Sequence, residues 1–110
     1  MALTRGFREM VVARAEKDAE FRRAMLETGV EMLLTGDPED AEIGRESIRS
    51  YIHATIGFEA LAKRIGKSPK SLMRMFSRTG NPSLSSLSAV IGELLKAEGV
   101  RLGVTTARAS

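Results

Sequence analysis

Apolar positions recur at helical spacing along most of the chain, and capping residues mark the breaks between runs. Phe7, Met10, Val11 and Ala15 fall on one side of a helix predicted from Thr4 to about Ala15, while Arg5, Arg8, Arg14 and Lys17 charge the other side. Asp18 reads as the N-cap of a second helix reaching about Leu34, with Phe21, Met25, Leu26 and Val30 as its apolar stripe. Gly29 lies inside that run and weakens the prediction of an unbroken helix. Gly36 closes the segment. Asp37-Pro38 then opens a third helix, predicted through about Thr55, because a capping side chain is followed by a proline whose missing N–H costs nothing at the first helical position. Its stripe is Ile48, Tyr51, Ile52 and Thr55, with Ile43 a little earlier.

The next stretch has the tightest spacing. Leu61, Ala62 and Ile65 form the stripe of a short helix that Gly66 ends, as a residue able to take positive φ should. Ser68-Pro69 repeats the cap-then-proline signal, and Leu72, Met75 and Phe76 give the following helix its own stripe. Two short helices joined by a glycine-containing turn form a helix-turn-helix arrangement. The loop from Arg78 to Ser83 follows. Ser83 then caps a last helix to about Ala97, with Leu84, Leu87, Ile91, Leu94 and Leu95 predicted on its buried face and Gly99 as its stop. Val100, Leu102 and Val104 alternate with Arg101 and Gly103, the period of a short strand. A lone strand of this length needs a partner, and the nearest is the same strand of a second copy. The predicted fold is therefore all-α, with five to six helices and a short C-terminal strand. It divides into an N-terminal helical extension over 1–36, a domain over 37–104 and a tail over 105–110.

Charge separates this motif from the rest of the chain. Between Gly57 and Gly80, Lys63, Arg64, Lys67, Lys70, Arg74 and Arg78 stand against the single acid Glu59. The first fifty residues instead carry 8 basic and 11 acidic side chains. The whole-chain charge of +3 conceals this division. A basic face attracts the phosphate backbone and releases its counterions, the main source of non-specific affinity for nucleic acid.

Composition narrows the alternatives. A chain of 110 residues suits one modest core, and the absence of cysteine excludes disulfides and thiolate metal sites. No window approaches the ~20 apolar residues that span a bilayer, and Met1 to Ala13 lacks the layout of a secretion signal, so the expected location is the cytoplasm. His53, the lone histidine, has no companions at ligand spacing, and the acids are spread over helix surfaces. The expectation is no metal, no cofactor and no catalysis.

The small residue Ala62, the turn glycine Gly66 and the aliphatic positions Leu72 and Met75, with Leu61 and Ile65, give a pattern that resembles the helix-turn-helix of phage repressors and Cro proteins. A narrower resemblance rests on Phe58-Glu-Ala-Leu-Ala-Lys-Arg-Ile-Gly-Lys-Ser-Pro-Lys-Ser-Leu, on Gly80-Asn81-Pro82 and on Val100-Arg101-Leu102. Over about Ile48 to Val104 these are similar to the HigA-like antidotes of bacterial addiction modules. The chain departs from that group at Ala54-Thr55-Ile56-Gly57. The resemblance implies a lambda-repressor-like fold and a cytoplasmic homodimer that binds an operator and represses its own operon. It also implies a partner toxin of the RelE/ParE type, with the first 36 residues as dimer or toxin contact.

In such a motif the second helix enters the major groove of double-stranded DNA. By pattern, Pro69, Lys70 and Arg74 take the base-reading positions. Arg74 is suited to guanine O6 and N7, Lys70 does the same less rigidly, and Pro69 meets at most a thymine methyl. Ser68 caps the helix and, with Ser71, is suited to phosphate. Lys67 and Arg78 flank the groove as phosphate contacts. Asn81 either touches phosphate or caps the next helix. Met73 and Phe76 belong to the core or to a partner surface, with core favoured for Phe76. Two other readings remain open: a stand-alone phage-type repressor, and a protein-interaction adaptor that has lost DNA binding.

Overall fold

The computed structural model describes residues 4–109, and its six helices are α1 (Arg5–Lys17), α2 (Ala19–Leu33), α3 (Pro38–Ala54), α4 (Phe58–Ile65), α5 (Pro69–Met75) and α6 (Leu84–Glu98). Local capping chemistry sets the boundaries. Thr4, Asp18, Asp37, Ser68 and Ser83 each accept a backbone N–H of the first turn that follows. Asp18 serves two helices, since its N–H also donates to Arg14 O at 2.9 Å and closes α1. Gly66 and Gly99 end α4 and α6 in the left-handed region, with φ of 70° and 74°.

Helix α3 is the spine, and α2 packs along it more extensively than any other pair of elements meets. The approach is close because two glycines face each other across it. A Cβ on Gly44 would stand 2.8 Å from Gly29 O and 3.0 Å from Leu33 N. Gly29 is buried within an unbroken α2, where a Cβ would meet the Ile48 side chain at 2.7 Å. The glycine that weakens the helix as a sequence signal is there to admit the neighbouring helix.

One core joins α2 to α6. Leu26 of α2 packs with Ile48, Tyr51 and Ile52 of α3, Phe58, Leu61 and Ala62 of α4, Leu72 of α5, Phe76, and Val90 and Leu94 of α6. At the rim of that core, Glu98 ties the two ends of the chain together. Its carboxylate accepts from Arg22 Nε at 2.9 Å, from Arg23 Nε at 3.4 Å and from the Tyr51 hydroxyl. Arg22 also donates to Ala15 O at 3.3 Å, bringing in α1. Burial pushes the Glu98 carboxyl up, but hydrogen bonds from Arg22 and Tyr51 and the Arg22 charge outweigh it, and the group titrates below its ordinary value. The Tyr51 hydroxyl is raised, first by burial and then by its bond to Glu98.

Several sequence expectations are corrected. Residues 100–109 form no strand, and no strand occurs among the described residues. Val100 and Leu102 instead line a groove of about 480 Å³ shared with Leu26 and Val30 of α2 and with Leu34 at its C-cap, and the segment has no ladder partner among the described residues. On α1, only Ala15 is buried, while Phe7 and Met10 stay exposed at 44% and 72%. Leu84 is 81% exposed because the first turn of α6 projects past the core, which begins at Leu87 and centres on Val90. Ile43 is exposed, as is Thr55, whose hydroxyl donates to Tyr51 O at 2.7 Å. No described helix is long and apolar enough to cross a membrane.

These contacts fix two outcomes. Gly44→Ala drives a methyl group into backbone and lowers stability by about 2 kcal/mol, measured by urea unfolding, whereas Gly29→Ala meets a flexible side-chain end and costs less. The depressed Glu98 titration contributes stability that is present above the ordinary carboxyl value. It is lost as pH falls through the folded value. Glu98→Gln therefore lowers stability at neutral pH and flattens the acid side of the stability profile relative to the parent, read by thermal unfolding from pH 7 downward.

Candidate nucleic-acid interface

The α4–α5 unit begins with its turn. Gly66 N and Lys67 N both donate to Ala62 O, the latter at 3.0 Å, which closes α4 without any side-chain cap. Ser68 then starts α5. Its Oγ accepts from Ser71 N at 3.1 Å, and its carbonyl accepts from Leu72 N at 3.1 Å. Pro69 occupies the first helical position, where no N–H is needed. Ser68 is thus engaged as a cap, and Ser71 satisfies it through its backbone.

One side of α5 is held inward by Leu72 and by Phe76 at its C-cap, both at 1% exposure or less. At 100° per residue the opposite side centres on Lys70 and Arg74. Both are exposed, and neither has a carboxylate within 4 Å among the described residues. Lys63 and Lys67 are exposed and unpaired in the same sense. Arg64 lies 3.7 Å from Glu93 of α6. Four cations around a turn and one helix face, with no internal anion taking them up, leave this surface ready for an external anion.

The C-terminal end of α5 is fastened to α3. Arg45 Nε donates to Ser77 O at 3.0 Å and a terminal nitrogen donates to Arg78 O at 2.7 Å. Arg78 returns the contact, its Nε 3.3 Å from Glu42, one turn before Arg45 on the same helix. Arg78 is still 80% exposed in its side chain, so the pairing is a surface one. Gly80 seals the end: its N–H donates to Ser77 O at 3.1 Å, and a Cβ there would lie 2.2 Å from Met75 O and 2.6 Å from Arg74 O. Asn81 is exposed and makes no hydrogen bond among the described residues. The cap of α6 is Ser83, which accepts from Ser86 N at 3.2 Å.

The structure therefore gathers Lys67, Pro69, Lys70, Ser71 and Arg74 on one exposed surface, with Ser68 at its capped edge. Arg78 is placed beside Glu42 and Asn81 beyond Gly80. Sequence pattern missed Arg45, which looks like any surface arginine of an amphipathic helix until the loop folds back onto it. His53 sets its ring edge against Phe58, centroids 5.0 Å apart. No group of three metal-ligating side chains lies together among the described residues.

Arg45→Ala removes both donors from the α5 terminus. Amide exchange at Met75, Phe76 and Ser77 should then quicken roughly ten-fold while exchange in α2 stays as in the parent. No protein-family model, curated protein or solved structure matches the chain.

Proposed function

We propose that the chain is a sequence-specific DNA-binding regulator, with α4 and α5 acting as a helix-turn-helix and α5 entering the major groove of duplex DNA. The observation that carries this reading is the outward pair Lys70 and Arg74, exposed and without internal ion pairs, on a helix whose other side is anchored in the core by Leu72 and Phe76. A helix placed this way presents charge to a groove without disturbing the fold. Arg74 grips guanine O6 and N7 with its planar fork, and Lys70 reads the neighbouring step. Lys67 and Lys63, at and before the turn, meet phosphates and add affinity that is indifferent to sequence.

The finer reading is an antitoxin of a type II toxin–antitoxin module that represses its own operon as a homodimer. Two copies supply two recognition helices for a two-fold operator, as dimeric repressors of this design require. The exposed Phe7 and Met10 give α1 an apolar surface suited to a protein partner such as a RelE/ParE-type toxin.

Binding to duplex carrying the promoter next to the coding sequence, titrated against salt, tests the proposal. The logarithm of affinity should fall against the logarithm of salt with a slope near −0.9 for each phosphate contacted. Arg74→Ala should narrow the gap between promoter and random duplex by roughly 10-fold or more, whereas Lys67→Ala should weaken both alike. Weak binding that ignores salt would sink the DNA reading.

A further inference from the structure

Besides Pro69 in its first turn, the exposed side of α5 carries one side chain that is neither charged nor hydroxylic. Met73 is 41% exposed, although its neighbour in type, Met75, packs against the core. It is not among the hydrophobic residues that form the core or pack against it. By helical geometry it lies on the flank of the basic face, about 60° around the helix from Lys70 and about 100° from Arg74, about 1.5 Å from the latter along the axis. A long apolar side chain gains nothing from water at this position, and a solvated basic face has no use for it. Within a major groove there is one apolar feature on a base edge, the 5-methyl group of thymine. The unbranched thioether adapts its three torsions to such a target.

We propose that Met73 is a specificity-determining residue that packs on a thymine methyl within one base-pair step of the guanine gripped by Arg74. This rests on the DNA-binding reading and narrows it, because it states which kind of sequence α5 prefers. Met73 carries no charge, so its contribution is discrimination, independent of salt, and separable from the phosphate contacts of Lys67.

The test uses the full chain and duplexes that it selects from a randomised pool. The selected duplexes should carry thymine next to the conserved guanine. Replacing that thymine by deoxyuridine, which removes only the methyl, should weaken binding by about four-fold, the worth of one buried carbon. Met73→Ala, at an exposed position that leaves the core untouched, should bind thymine and deoxyuridine duplexes equally. Its salt slope should match the parent's. Selection of duplexes in which no thymine is sensitive to deoxyuridine, or an equal loss in Met73→Ala, overturns the assignment while leaving DNA binding intact. Failure to enrich any duplex, with no salt-dependent affinity, overturns this inference and the reading beneath it together.

Discussion

The fold depends on a buried carboxylate. Glu98, the last residue of α6, is the anion for two arginines of α2 and the tyrosine of α3, and through Arg22 it reaches the carbonyl of Ala15 in α1. Four helices drawn from both ends of the chain meet at one side chain whose exposure is 5%. Such a charge is costly to bury alone, and its stabilising effect exists only while every partner is in place. The cluster therefore acts as a lock between the N-terminal pair of helices and the last helix. The α4–α5 unit lies between these two, on the hydrophobic platform that the lock holds together.

Helix α3 passes this rigidity on to the basic surface. Its middle contributes Ile48, Tyr51 and Ile52 to the core, while Arg45 and Glu42 reach the loop after α5. The basic surface is thus set by packing beneath it, where Leu72 and Phe76 insert, and by hydrogen bonds at its end. Its charged side is left out of the internal bonding altogether. This division of labour fixes the orientation of α5 without using its polar groups.

What the sequence displayed was local. Caps at Asp18, Asp37, Ser68 and Ser83 and stops at Gly66 and Gly99 are decided within one helical turn, so spacing alone reveals them. Core positions such as Leu61, Ala62, Leu72 and Phe76 follow from periodicity for the same reason. Contacts between distant residues left no such trace. Glu98 and Arg22 are 76 residues apart, and Gly29 reads as a flaw in its helix until α3 is laid across it. Val100 to Val104 alternates like a strand, yet alternation states only that one side is apolar, and here Val100 and Leu102 line a groove beside α2 while Val104 is exposed. Phe7 and Met10 of α1 satisfy the helical period without meeting a core, since period says nothing of how far the core extends. For the basic surface, residue type and spacing placed Lys70 and Arg74 on one face, while the side to which Met73 points depended on how α5 settles.

The glycine seam between α2 and α3 has a mechanical consequence. Where Gly44 meets the Gly29 carbonyl, backbone rests on backbone and there are no side-chain torsions to readjust at that point. The two helices must then travel as one stiff plate, and bending of the molecule is confined to seams filled by mobile side chains, on the side of α4 and α6.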